Sequence, residues 1–226
     1  PSGRGLATIM DKDIILYVIS KLVDLQNKGV PITPWVEVTA HEVMVATNWN
    51  IGAHDYKRFE DSLIRLRGTT IITNIPTGEV EQVRGFGIID EFQVERVGEH
   101  GKKSAFGRMS KIRVKLSEWT FNAIQAEEVL TIHPRYFNLR RPLERRIYEL
   151  ARKHVGDKTV PWAIGVEKFQ KKVGSRSPQK KFRYFLREII KDGHIPQYEL
   201  DLVGDQVIIK RIPRFVPVGR VRLKPE

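Results

Sequence analysis

The chain has 226 residues (26.1 kDa), 41% of them hydrophobic, and carries 39 Lys and Arg against 27 acids, a formal net charge of +12 with a pI near 9.9. That is about one and a half ordinary domains and apolar enough to bury real cores, which excludes a disordered chain. The absence of cysteine excludes disulfides, a thiolate nucleophile, Cys-ligated zinc and iron–sulfur clusters.

The first half reads helix, helix, helix, strands, helix. Asp11 is placed to cap a helix running to about Lys28, with Gly29 as its stop and Ile15, Val18, Ile19, Leu22 and Val23 in one stripe. Thr39 to Glu42 is a capping box, in which the Thr hydroxyl accepts from an early amide and the Glu reaches back. It opens a short helix through Val43, Val45 and Ala46; Asn48 to Gly52 reads as a turn. A third helix follows, with Tyr56, Phe59, Leu63 and Leu66 on one side and Gly68 at its end. The period then changes to two. Thr69–Ile75 is β-branched, Pro76–Glu79 is a turn, and Val83–Val97 reads as one long strand or two shorter ones. Gly98–Lys103 is a loop, Met109–Leu116 a strand, and Ser117 caps a short helix to Ile124.

The second half repeats that order. Pro142 sits at the first position of a helix over Leu143–His154 whose inward residues are Leu143, Ile147 and Leu150, with Gly156 as stop. A second helix covers about Gly165 to Val173. Gly174–Pro178 is a tight turn in which Ser177 caps and Pro178 begins a helix to Asp192, ended by Gly193. Ile195–Leu202 alternates with period two, Gly204–Asp205 turns, and Gln206–Ile212 returns; the tail from about 213 reads as irregular. Helix–helix–turn–helix–hairpin twice over is the plan of two tandem winged helix-turn-helix domains, an α+β fold, with domains expected at 1–133 and 134–226.

Charge follows that division. Residues 1–133 hold 16 Lys/Arg and 17 Asp/Glu, a net of −1; residues 134–226 hold 23 and 10, a net of +13. A field of one sign attracts polyanions, nucleic acid first among them, although a solvated soluble surface has the same composition. The longest uninterrupted apolar run, Ile14–Ile19, falls far short of the ~20 residues of a membrane span, and no secretory signal is visible, so no membrane partner is expected. Pro1-Ser2-Gly3 lacks an initiator Met: the chain starts with a cloning remnant or inside a longer protein.

The helix from Pro178 to Asp192 carries the chemistry. At 100° per residue, Phe182, Phe185, Leu186, Ile189 and Ile190 share one arc, while Lys180, Tyr184, Arg187 and Lys191 lie almost opposite and Arg183 stands at the border. A helix-turn-helix places such a face in the major groove, where an Arg donates twice to guanine and Lys or Gln179 reaches base or phosphate. Lys168, Lys171, Lys172, Ser175 and Arg176 form a basic corner before it, and Ser177 adds amides at a helix N-terminus for a phosphate. Lys210 and Arg211 act either as a wing on the backbone or as a solubilising edge strand. In the first half the outward face of the third helix carries His54, Arg58, Asp61 and Arg65, a mixed-sign surface for secondary contacts or dimerisation.

Catalysis is not expected. The six His residues have no pair at metal-ligand spacing, no His-x-His motif of a nickase occurs, and Gly98–Ser104 lacks the leading Gly and the Ser or Thr of a phosphate loop, so no catalytic residue, cofactor or metal is assigned. His154 is a helix-end residue favoured by the dipole.

These stretches resemble the plasmid replication initiator protein A family of bacteria: Met10–Leu22, Thr39–Asn48, Ser62–Ile75, Leu116–Ile124 and, most specifically, Tyr136–Gly156 with its "LRRPLERRIYELARKHVG". The resemblance covers most of residues 10–190. It implies a bacterial, cytoplasmic replication initiator, associated with nucleoid or plasmid and built of two winged-helix domains. Such proteins bind direct repeats (iterons) of double-stranded DNA at an origin, help open the duplex, recruit the host chromosomal initiator and replicative helicase, and as dimers repress their own gene. It also implies that Lys180, Arg183, Tyr184 and Arg187 read bases, and that the first domain supplies backbone contacts and the dimer interface. Arg140, Arg141, Arg145 and Arg146 sit on phosphates or pair with acids such as Asp90, Glu91 and Glu95. A two-domain transcriptional (auto)repressor without an initiation role has the same chemistry; a nickase or an RNA-binding module fits less well.

Overall fold

The computed structural model describes residues 3–77, 80–97 and 108–213. The architecture is mixed α/β in two compact units, Pro1–Asn138 and Leu139–Glu226, so the division falls at Asn138 rather than at the expected residue 133.

In the first unit the order is α1 (Lys12–Asn27), β1 (Trp35–Val38), α2 (Ala40–Ala46), α3 (Ala53–Gly68), β2 (Thr70–Thr77), β3 (Val80–Gly87), β4 (Ile89–Val97), β5 (Arg108–Leu116) and α4 (Glu118–Gln125). One antiparallel sheet has the order β1-β5-β4, and β2 and β3 form a separate hairpin. Of the two readings of Val83–Val97, two shorter strands form, parted after Gly87, where a Cβ would come to 3.0 Å from the carbonyl oxygen of Ile89. A side chain there would press on that carbonyl, so the small residue suits the corner where the chain passes from one sheet into the other. The expected turn over Pro76–Glu79 is narrower, since Pro76 and Thr77 still pair with Glu81 and Val80; Gly78 and Glu79 lie outside the described residues. The Gly98–Lys103 loop, the rejected phosphate loop and the tail from residue 214 lie outside them as well.

The core of this unit is the expected stripe of α1 (Ile15, Val18, Leu22) against Phe59, Leu63 and Leu66 of α3 and Ile112, Val114 and Leu116 of β5. Thr39 caps α2 as the capping box requires, its hydroxyl accepting from the Glu42 amide at 3.1 Å. Asp11 does not cap α1. Its backbone is already helical and its carboxylate turns back, accepting from the Thr8 amide (2.8 Å), the Ser62 hydroxyl (2.6 Å) and the Arg65 guanidinium (2.6 and 2.9 Å). Asp11 is 2% exposed, so a buried charge holds α1 to α3.

The second unit runs α5 (Pro142–His154), β6 (Trp162–Gly165), α6 (Val166–Val173), α7 (Gln179–Asp192), β7 (Tyr198–Val203) and β8 (Gln206–Arg211), with sheet order β6-β8-β7. Each unit therefore contains a short strand between its first two helices, β1 or β6, which the sequence reading lacked. In both, that strand pairs with the last strand of the unit. Phe182, Leu186 and Ile189 of α7 are buried with Ile147 and Tyr148 of α5, Phe169 of α6 and Leu200, Val207 and Ile209 of the sheet. The aromatic rings Trp162, Phe169 and Phe182 follow one another at centroid spacings of 6.1 and 6.4 Å. Arg145, expected on phosphates or on acids of the first unit, is 1% exposed and donates from Nε to the Leu139 carbonyl at 2.8 Å.

Burial opposes ionisation of Asp11, but the hydrogen bonds from Arg65, Ser62 and Thr8 outweigh it and hold the carboxyl below its usual 3.8. A carboxyl lowered on folding stabilises the fold above its unfolded pKa and loses that contribution as pH falls through the folded value. Asp11→Ala is expected to cost about 3 kcal/mol in urea denaturation, because Arg65 is left partly buried without its anion. It should also remove part of the wild-type loss of stability below about pH 4. The double variant with Arg65→Met should be less destabilised than the sum of the two singles.

Candidate nucleic-acid interface

α6 ends at Gly174, whose φ of +74° is the left-handed conformation that glycine adopts without penalty. The chain then crosses to α7 in four residues. Gln170 clamps this turn, its side-chain amide donating to the carbonyls of Ser177 (2.6 Å) and Ser175 (3.4 Å). Ser177 is not the helix cap that was expected; Pro178 occupies that position and α7 starts at Gln179. No side chain caps α7 and no acid lies in its first turn, so the first amides of a 14-residue helix point outward unsatisfied, beside the cations of the turn.

On the apolar arc of α7 Phe182, Leu186 and Ile189 are buried and Phe185 and Ile190 half-buried, and the opposite arc faces solvent: Gln179, Lys180, Arg187 and Lys191 are exposed, and Tyr184 is 57% exposed. Lys172 and Arg176, at the end of α6 and in the turn, are exposed too, while Ser175 is half-buried and accepts from the Ser177 amide at 3.4 Å. Among the described residues no ion pair engages Lys172, Arg176, Lys180, Arg187 or Lys191. Lys171 is paired with Glu167 at 2.7 Å, but both side chains are about 70% exposed and such pairs are worth little. Lys181, not singled out from sequence, is exposed as well and lies 5.6 Å from the Phe185 ring centroid.

Other expected contact residues are otherwise engaged. Arg183 pairs with Asp205 and donates to the Gly204 carbonyl at 3.4 Å, so it ties α7 to the β7–β8 turn. Lys210 lies 3.4 Å from both Glu199 and Asp201, and these acids raise its pKa. Arg211 pairs with Asp157 at 2.9 Å, covers the Tyr198 ring at 5.3 Å and is 10% exposed. The solubilising edge strand foreseen for this pair is not what forms, since β8 is the central strand of its sheet. In the first unit His54 is exposed, Arg58 lies 4.3 Å over the Trp49 ring, and Arg65 turns inward to Asp11 instead of outward. Arg141 and Arg146 pair within their own unit, with Glu144 and Asp192 and with Glu149 respectively.

His154 stacks on Trp162 at 4.1 Å. Burial, then Lys172 and Lys153, lower its pKa, opposite to the helix-dipole effect expected from its position. Glu144, Asp192 and His194 come together although their sequence spacing gives no metal motif. No helix among the described residues is long and apolar enough to cross a membrane.

Comparison with known proteins places this geometry. The crystal structure of domains 2 and 3 of RctB superposes with a TM-score of 0.65 over 89% of this chain and 82% of that one, at 11% identity. A second structure of the same RctB domains gives 0.63 over 92% and 83%, at 9% identity. At such identities the likeness is one of fold. A protein of Wigglesworthia glossinidia brevipalpis named "Putative replication protein" is 32% identical over 202 residues, 88% of this chain and 71% of that protein. The family model described as "Replication initiator protein A" matches residues 1–200, and the chain belongs to that family.

Proposed function

We propose that the protein initiates replication by binding repeated double-stranded DNA sites at an origin sequence-specifically, and that α7 is the element that reads bases. The observation that carries this reading is the set of exposed cations on α7 and the turn before it that no acid neutralises. Paired surface charges are already satisfied within the protein. Unpaired ones on one face exclude packing against apolar protein and attract a polyanion.

Both units are read as winged-helix domains, which the helix–strand–helix–helix–hairpin order supports. Arg187, Tyr184 and Lys180 project from the middle of the exposed arc and face base edges. Lys171, Lys172, Arg176 and the uncapped amides of α7 take phosphates. Arg183 positions the β7–β8 turn through Asp205, and Lys210, 42% exposed beside Glu199 and Asp201, is a backbone contact of the wing, with Arg211 beneath it holding Asp157. The first unit contributes secondary contacts through His54 and Arg58 and a surface for self-association: Ile72 and Val83 of the β2–β3 hairpin are 70% and 67% exposed. Duplex opening, recruitment of the host chromosomal initiator and replicative helicase, autorepression by the dimer and a bacterial cytoplasmic location complete the proposal. It includes no catalytic step.

Binding to origin repeats should weaken as salt rises, with a log–log slope of about −0.9 per phosphate contact. A salt-independent affinity would contradict a cationic interface. Arg187→Ala should cost about 1–3 kcal/mol on the specific site and relax selectivity at one base position; equal losses on random DNA would assign it to phosphate. Arg211→Ala should instead reduce folding stability. Footprinting on the DNA flanking its own gene should show protections spaced by whole helical turns, about 10 base pairs or a multiple of it. A lone palindrome protected, with no direct repeats, would favour a repressor. Nicked product from supercoiled DNA in the presence of divalent metal would overturn the non-catalytic reading.

A further inference from the structure

Glu144 lies in the first turn of α5, Asp192 is the last residue of α7, and His194 follows the glycine that ends α7. A nitrogen or carboxylate oxygen from each lies within 4.8 Å of the others. Glu144 is 1% exposed, and its Oε1 has no hydrogen-bond partner. That oxygen is nonetheless 3.1 Å from His194 Nε2 and 3.4 Å from Arg141 Nε. These two atoms stand 3.1 Å apart without the geometry of a hydrogen bond, a placement that ligands of one shared ion would have. Ligands 2.0–2.2 Å from one zinc ion in a tetrahedral array stand about 3.3–3.6 Å apart, close to this spacing.

Charge points the same way. With the imidazole neutral, two carboxylates face one guanidinium, Arg141, which pairs with Asp192 at 2.5 Å. One negative charge is left over, and it sits where Glu144 is almost wholly removed from water, an arrangement that costs free energy until a cation completes it. Glu144 Oε2 is already used, accepting from the Arg141 amide at 3.1 Å, which aims Oε1 into the cluster.

We propose that Glu144, Asp192 and His194 form a binding site for a zinc-like divalent cation that ties the N-terminus of α5 to the C-terminus of α7. One imidazole and two carboxylates are a zinc donor set, with further positions for water; a magnesium site would be all oxygen. Arg141 competes for the same carboxylates and swings out when the metal enters. Its side chain is 51% exposed, so the movement is open to it. The site uses none of Lys180, Tyr184 and Arg187 and does not depend on the proposed reading of bases.

The test titrates Zn²⁺ into chelator-treated full-length protein by calorimetry, with Co²⁺ absorption reporting on ligand symmetry and no DNA present. One saturable equivalent is expected, with a rise in melting temperature. His194→Ala, at a position 42% exposed and therefore tolerant for folding, should abolish the isotherm while circular dichroism stays unchanged. Arg141→Ala should tighten binding by about tenfold, because a competing positive charge is gone. No saturable binding, or the same isotherm in His194→Ala, would overturn the proposal; the latter would assign the ion to other histidines.

Discussion

Phe182, Leu186 and Ile189 leave α7 only one way to sit on its unit. They recur at i, i+4 and i+7 and are all buried, against Phe169 of α6 and the sheet strands β7 and β8. Fully burying side chains of this kind contributes about 1.5–3 kcal/mol each, far more than any surface ion pair could offset. The helix cannot rotate to hide its cations without exposing those rings. Lys180, Tyr184, Arg187 and Lys191 are therefore held outward by the core, not by contacts of their own. A surface that is fixed by packing and whose cations have no ion-pair partner among the described residues keeps its charge for something outside the protein.

The distribution of partners divides the basic residues more sharply than composition does. Arg145, Arg211 and Arg65 are largely buried and bonded to a carbonyl or an acid, so each belongs to the fold. Arg183 latches α7 to the hairpin turn through Asp205, and Arg141 holds Asp192 at the far end of the same helix. Both latches involve α7: one fixes its outer flank, the other its C-terminus. A net charge of +13 over residues 134–226 overstates the positive charge available to a ligand, because part of it is spent inside the unit.

Element order and most helix limits were legible in the sequence because they rest on local signals. The 3.6 period of α1, α3, α5 and α7, the capping box at Thr39 and the glycines at 174 and 193 act within one or two turns of chain. What was not legible depends on pairing at a distance. β1 and β6 are four residues long, and neither is a strand without β5 or β8 beside it. Trp35–Val38 does alternate between buried and exposed positions, a signal too short to separate from loop. The fate of individual arginines was similarly hidden: Arg65 and Arg58 sit on one helix face, yet one reaches an aspartate 54 positions away and the other a tryptophan ring. The cluster of Glu144, Asp192 and His194 spans 50 positions and has no sequence spacing to betray it.

Buried charge is used in the same way in both units. In the first, Asp11 is fully supplied with donors from Thr8, Ser62 and Arg65 and fixes where α1 starts relative to α3. In the second, Glu144 stands at the corresponding place, the start of the first helix, and again faces the end of the third, but its donors are incomplete. In the first unit every bond to the buried carboxylate comes from the unit itself. In the second, Oε1 of Glu144 lies beside Arg141 and His194 yet accepts no hydrogen bond, and it does so at the end of the helix that carries the exposed cations. The two units thus differ in one buried carboxylate oxygen that no hydrogen bond satisfies, and it falls in the unit whose third helix presents the exposed cations.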